Sequence, residues 1–425
     1  MKGRALTLSQ LSKQHASKVL LLSISFMSLL TIRRMVMEFN RLIWVSVEMG
    51  AIDLNQRYRE VLTWFSGETV YGEVHTAVYP PASYVILWPF LGHGSFSLAR
   101  WLWAISTVIA LVVLICLLLK ESNAYGWLER SFIALMVLSI YATSQTIGVG
   151  QLTIHVMVLL VAGLVCRRYS TLLTSVLMTL ALIKPTLSLP FCWRTVFGSN
   201  RYRLILLIGL EYFFLAAIAT CFQDGDLISL HADWLASGIS GAEWGSSGGG
   251  GNKGGNGFGF GIGTGYGNVH DWLGAAGLSH LNMPASLVIL FGLGYWTYRY
   301  RTIDSWLLIG VTSIVARLWT YHLVYDDLLI LLPMITLFRM MKLPSIGWFH
   351  QQMCGWILAI SLTAALIPAS FRLRPPPWNY LFTGGQTVVW LMMLLFLVYL
   401  TGWCKQRQIL TDTKLLKKHQ PIKSS

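Results

Sequence analysis

The chain has 425 residues, of which 55% are hydrophobic and 12% charged, with a formal net charge of +14 at pH 7 and a mean hydropathy of +0.58. A soluble chain would be about a quarter charged, so long apolar runs parted by short polar ones define an all-α polytopic membrane protein. The basic residues sit in short clusters beside those runs, as the positive-inside rule requires, and no nucleic-acid-binding motif accompanies them, so no nucleic-acid partner is expected. The six cysteines (Cys116, Cys166, Cys192, Cys221, Cys354, Cys404) contain no CxxC pair, which argues against a zinc site or a disulfide framework.

In chain order, Lys2, Arg4, Lys13 and Lys18 precede an apolar run from Val19 without a small-residue cleavage site, so a retained first span is expected. Arg33 and Arg34 interrupt that run, and the segment from there to Met49 is expected to lie at the membrane interface. A polar stretch, 52–83, follows, then a piece too short to span, 84–91. Spans are expected near 98–119, 131–147 and 152–166. The segment 171–193 is interrupted by Lys184-Pro185 and flanked by Arg167 and Arg168 on one side and Arg194, Arg201 and Arg203 on the other. A re-entrant or broken hairpin keeps both clusters on one side.

A span at 204–222 leads to a long loop, 223–283, with a glycine-rich tract, SSGGGGNKGGNGFGFGIGTGYGN. Lys253 is followed by glycine, so the tract lacks a phosphate-cradling pattern and is expected to be a flexible linker. Further spans fit 285–298, 305–320, 323–340, 356–369 and 388–403, before a basic tail, 405–425. With both termini cytoplasmic, ten crossings among about 10–12 membrane helices put nearly every basic cluster inside. The stretch 53–81, the turn 148–151, the loop 223–283, the junction 317–327 and the segment 372–378 then meet at the outer face. Arg57, Arg59, Arg372 and Arg374 are the outer exceptions to the charge rule.

Five features invite chemistry. Asp53 stands where an N-cap belongs, with Gln56 at the third helical position as in a capping box; Leu54, Tyr58, Val61, Leu62 and Phe65 share one face, and Gly67 ends the helix. Capping is the plainer role for Asp53, and it is compatible with proton acceptance, because a carboxylate at a helix N-terminus stays ionised. Tyr79-Pro80-Pro81 makes a rigid helix entry or the wall of a pocket. Gly150-Gln151 makes a tight turn, or offers an amide to a sugar hydroxyl. Arg317, Trp319, Tyr321 and His322 crowd a span end; the arginine and aromatic rings fit an interfacial belt, while His322, Asp326 and Asp327 require partners or a water-filled cavity. Lys184 is an intramembrane cation, facing the cytoplasmic half in a re-entrant hairpin, or meeting a lipid phosphate if it lies near the midplane.

Five of these segments fall in a telling order: Asp53-Leu54, Gly67 to Tyr71, Tyr79-Pro80-Pro81, Gly150-Gln151 opening a span, and Ala181-Leu182-Ile183-Lys184-Pro185 about thirty residues later. Together they resemble glycosyltransferase family 87, polyprenyl-phosphate-sugar-dependent enzymes that include mycobacterial mannosyltransferases and arabinofuranosyltransferases. His322 with its aspartates resembles the family's later histidine-containing junction more loosely, so the likeness runs from about 50 to 340. The glycine-rich insert and the arginines of the first apolar stretch depart from it. The resemblance implies a GT-C-type fold in a bacterial plasma membrane, with the site at the outer face. It implies a donor carrying one sugar, a hexose such as mannose, on polyprenyl phosphate, and a lipid or glycan acceptor of the cell envelope, with surrounding membrane lipids. Asp53 corresponds to the catalytic base. Arg57, Tyr79, Gln151, Lys184, Arg317, His322 and Arg372 are the candidate substrate-binding residues, Arg317 and His322 foremost for the leaving phosphate. No metal and no cofactor are expected. Two other classes remain: a transporter or flippase of a lipid-linked sugar, and a non-catalytic membrane scaffold.

Overall fold

The computed structural model of the chain describes residues 8–72, 77–198, 201–246, 267–368, 370–371, 374–375 and 377–407. Among the described residues every regular element is a helix. The glycine-rich tract, Arg372 and the basic tail beyond Arg407 lie outside them.

Helix α1 (Leu8–Ile43) runs unbroken through Arg33 and Arg34, so the expected interfacial segment after the arginines is in fact a continuation of the span. Arg34 reaches the backbone oxygens of Ser139 and, at 2.7 Å, Leu366, the last residues of two other helices. Carbonyls at helix C-termini lack intrahelical partners, so the charge is accommodated without breaking its own helix. Then come α2 (Ile52–Phe65), α3 (Pro81–Leu91) and α4 (Phe96–Glu121). The span expected at 131–147 is bent by 47° into α5 (Gly126–Ser139) and α6 (Tyr141–Val149), with Ile140 extended between them.

Helix α7 (Thr153–Cys166) precedes the segment expected to be broken, which is α8 (Thr171–Ala181), α9 (Pro185–Ser188), a 3-10 turn and α10 (Cys192–Val196). Lys184 stands at the break because the residue before a proline is pushed out of the helical region. The chain continues through α11 (Arg201–Thr220), α12 (Leu227–Ser246), α13 (Val269–Ala275), α14 (Asn282–Arg299) and α15 (Ser305–Leu318). A 3-10 segment, Val324–Ile330, leads into α16 (Leu331–Met341), and α17 (Trp348–Leu366) and α18 (Trp378–Arg407) complete the bundle.

Among the described residues four helices are long and apolar enough to cross a membrane alone: Lys18–Ile43, Phe96–Glu121, Arg201–Thr220 and Phe382–Arg407. The bent pair makes a fifth candidate. Helices α3, α7, α8 and α15 are apolar but only 11 to 14 residues long, which at about 1.5 Å per residue falls short of a roughly 30 Å hydrocarbon core. Of these, α7 and α15 lie mostly in the interior, while α3 and α8 expose Trp88, Leu172 and Leu173. Helix α15 is buried nearly all round, as a helix apolar on every face must be. Leu22, Leu29 and Val36 on α1, and Leu206, Leu210 and Phe213 on α11, are exposed at helical spacing and form lipid-facing stripes.

Helices α7 and α15 define two ends. Thr153 and Arg317 mark one; Arg167, Arg168 and Ser305 mark the other, where Arg194 donates to Ser305 Oγ at 2.7 Å. The two ends are about 20 Å apart, the length of a 14-residue helix.

Candidate active site

At the Thr153 end, Ala51 takes a left-handed conformation (φ 54, ψ 31) and donates its N–H to the Gly148 oxygen at 2.9 Å. Ala51, not Asp53, is thus the N-cap of α2, and no side chain caps it. Asp53 is the second helical residue, and Gln56 donates to Glu60 Oε1 at 3.1 Å rather than reaching back. The expected capping box is therefore absent, and the Asp53 carboxylate serves elsewhere.

The buried face of α2 also differs from expectation. It consists of Leu54, Arg57, Glu60, Val61 and Trp64, while Leu62 is 39% exposed. Arg57 and Glu60 are carried inward as an ion pair of 2.6 Å, with the guanidinium 4.5 Å from the Tyr79 ring centre. Trp64 stacks on Tyr84 at 4.5 Å and donates to the Ala219 oxygen at 3.0 Å, fixing α2 on α3 and α11. Gly67 ends the helix at φ 81, as expected.

Tyr79-Pro80-Pro81 makes the expected helix entry: Pro81 opens α3, and Tyr79 is buried just before it. The Tyr79 oxygen accepts from the Tyr71 hydroxyl at 2.6 Å, and the Tyr79 hydroxyl donates to Gln151 Oε1 at 2.8 Å. Gln151 follows a turn only glycine allows: Gly150 has φ 73, and a Cβ there would lie 2.5 Å from Leu54 Cβ. The Gln151 amide oxygen also accepts from the Leu152 N–H at 2.8 Å, so its Nε2 is aimed at Asp53 Oδ2, 3.0 Å away. Tyr79, Gln151 and Asp53 form one line from three separate segments.

Asp53 is half-buried. Burial raises its pKa above the usual carboxylate range; the Arg57 and Lys184 charges and the Gln151 bond oppose the rise, and Asp326 adds to it. Burial lifts Glu60 to about 7 despite Arg57. It raises the Tyr79 phenol as well.

Facing this line is a second set. Lys184 Nζ donates to Asp326 Oδ1 at 2.6 Å and to Thr153 Oγ1 at 3.3 Å, and Thr153 donates to the same carboxylate at 2.8 Å. His322 Nδ1 is 2.9 Å from Asp326 Oδ2, and its Nε2 is 3.0 Å from Thr320 Oγ1. Lys184 also lies 4.9 Å from the Tyr325 ring centre. The break in the hairpin brings Lys184 to the end that holds Asp53, not to the far end with Arg167 and Arg194.

Arg317 goes elsewhere. It is 2% exposed and paired with Asp327, which also accepts from Tyr141; the Tyr141 hydroxyl in turn lies 3.1 Å from Gln386 Oε1. The adjacent Asp326 and Asp327 thus serve two networks in opposite directions. Among the described residues no three His, Cys, Asp or Glu side chains converge as metal ligands would. Thr153, Tyr325, Tyr141 and Gln386 were not foreseen in these networks; a usable signal was that two buried aspartates need donors and that polar side chains in apolar helices can supply them.

The fold and site together define an all-α polytopic membrane protein with a half-open carboxylate at one end of the bundle, facing a buried lysine–aspartate–histidine set. The model of glycosyltransferase family 87 matches residues 77–241, a segment that includes Tyr79, Gln151 and Lys184. This match shows a likeness to that family over that segment. No curated protein and no solved structure matches the chain.

Proposed function

We propose that the protein is an inverting glycosyltransferase that moves one hexose, such as mannose, from a polyprenyl-phosphate donor to a hydroxyl of a lipid or glycan acceptor. The observation that carries this reading is the aimed Asp53 carboxylate, held by Gln151 opposite Lys184 and His322. Arginines gather at the far end of α7, and by the positive-inside rule that end is cytoplasmic, with both termini inside a bacterial plasma membrane and Asp53 at the outer face. The architecture is of the GT-C type.

In the proposed reaction the acceptor hydroxyl attacks the anomeric carbon while its proton passes to Asp53. The bond from that carbon to the phosphate oxygen breaks, its electron pair leaves with the lipid phosphate, and a glycosidic bond forms with inverted configuration. A raised pKa suits Asp53 to this work, because a general base is most effective when its pKa approaches the working pH. Charge builds on the sugar in an oxocarbenium-like state, so a moderate base suffices. The leaving phosphate needs fixed donors; Lys184 keeps a third N–H beyond its bonds to Asp326 and Thr153 and supplies one, whereas His322 is held between Asp326 and Thr320 and Arg317 is committed to Asp327. Gln151 and Tyr79 orient the base, and Arg57 holds Tyr79 from its ring face.

The test is incubation of the purified protein with candidate polyprenyl-phosphate sugars and acceptors, read by product mass, beside Asp53→Asn. Wild type should form a new glycosidic product, and the variant should stay folded and lose at least about a hundredfold in rate, the span usual for general-base loss. Near-normal turnover by Asp53→Asn removes the catalytic assignment. Movement of labelled donor lipid across the bilayer without a new bond identifies a transporter instead; neither activity would leave a scaffold.

A further inference from the structure

The far end of the bundle carries a cavity of about 370 Å³ that the transfer chemistry does not use, within the ~300–1,000 Å³ of ordinary ligand clefts. Its charged lining is four arginines, Arg167, Arg168, Arg194 and Arg301, against Glu121 alone, so the lining holds a large positive excess. These arginines come from three sequence-distant stretches, after α7, on α10 and after α14. Charge asymmetry across a membrane calls for basic loops, but not for basic residues converging on one concavity. The lone acid is already engaged: Glu121 Oε2 accepts from Trp306 Nε1 at 3.0 Å and meets Arg168 at 3.5 Å. Arg194 and Arg301 donate to neutral groups, Ser305 Oγ at 2.7 Å and the Tyr298 oxygen at 2.9 Å. Arg167 donates to the Arg194 backbone oxygen, so two half-buried guanidinium groups stand near each other. Burial and the neighbouring Arg167 charge bring Arg194 down to about 10, a cost that a bound anion would relieve. The other wall is apolar, with Val161, Leu164 and Ile309.

We propose that this cleft binds a phosphate group, presented by an anionic lipid of the adjoining leaflet or as a free ion. Planar guanidinium groups match phosphate oxygens two by two, and basic pockets between membrane helices are where phospholipid head groups are held. The apolar wall is suited to the first carbons of a lipid chain. The proposal does not depend on the transfer chemistry, since the cleft lies a helix length from Asp53.

The experiment uses the full chain in a neutral detergent. Thermal unfolding is followed with phosphatidylglycerol, with phosphatidylcholine and with inorganic phosphate, and native mass spectrometry reads retained lipid. Phosphatidylglycerol should raise Tm by several degrees and remain as a one-to-one adduct, while phosphatidylcholine should do neither. Arg168 and Arg301 are exposed, so the double variant Arg168→Gln/Arg301→Gln should fold normally and bind phosphatidylglycerol roughly tenfold more weakly. Lys120→Gln, outside the cleft, should bind as wild type. A shift with inorganic phosphate alone that the double variant loses assigns the site to the free ion. Equal shifts with both lipids and none with phosphate, or undiminished binding by the double variant, overturn the proposal.

Discussion

Gln151 is the residue on which Asp53 depends. Its amide oxygen accepts from the Tyr79 hydroxyl and the Leu152 N–H, and its Nε2 donates to the carboxylate. In the proposed mechanism Gln151→Ala should lower kcat by roughly ten- to a hundredfold with little change in KM, because misaligned groups lose rate rather than affinity; steady-state kinetics on the purified protein reads the split. The raised pKa of Asp53 fixes the sign of the pH dependence: a base must be ionised, so the rate should fall on acidification at a pH above the usual carboxylate range. Stability runs the other way at Glu60. Its folded pKa of about 7 exceeds the ordinary 4.5, so the folded chain binds that proton more tightly and gains stability as pH falls from 7 towards 4.5. The gain is roughly 3 kcal/mol at about 1.4 kcal/mol per pKa unit. Thermal melts of Glu60→Gln should lack this slope. Asp53 stood out in the sequence by its polar setting and its motif, but the capping role expected of it does not hold: a left-handed Ala51, fixed by the Gly148 oxygen 97 positions along the chain, shifts the helix start by two residues, and local pattern carries no trace of it.

Two short elements set the site's geometry. Gly150 makes the left-handed turn that lets Leu54 pack against it. Gly150→Ala combines a strained φ, about 1 kcal/mol, with a Cβ contact that cannot stand, and should detach the start of α2. Limited proteolysis between 44 and 58 should become faster than in wild type. The break before Pro185 was readable, because a proline inside an apolar run removes a donor and straightens the residue before it. The bend at Ile140 was not: no proline or glycine marks it, and the Ser139 oxygen is taken by Arg34 from a helix 105 positions earlier. The buried face of α2 misled for a related reason. Arg57 and Glu60 neutralise each other inside, so a hydrophobic count pointed at Leu62.

For the whole molecule, charge counting anticipated that 53–81, 148–151 and 317–327 would meet, and Gln151 and Asp326 do lie beside Asp53; Lys184, which charge counting left out of that group, joins them. The pairing of Lys184 with Asp326, 142 positions apart, is beyond any local pattern. It has a measurable energy: removing the cation from a buried pair strands the partner and costs about 3–5 kcal/mol. Lys184→Met should lower Tm by many degrees, while Lys184→Met/Asp326→Leu should recover much of it without restoring transfer. Cys221 is exposed just beyond α11, beside the segment that carries Gln223 to α2. In right-side-out vesicles it should react with a membrane-impermeant maleimide, and a shielded Cys221 would reverse the assigned orientation.

The back-to-back aspartates have a mechanical consequence. Asp326 and Asp327 share one 3-10 turn, so a shift of that turn's backbone also pulls Asp327 from its socket of Arg317 and Tyr141, a socket tied through Gln386 to α18. The lysine side of the cleft is therefore a fixed jaw. The carboxylate side rests on a single amide near the start of a helix that begins at the left-handed Ala51, so in the proposed mechanism it is the side that adjusts to a substrate. Hydrogen exchange should be slow at 324–330 and faster at 51–58, and a ligand should close the difference from the α2 side alone.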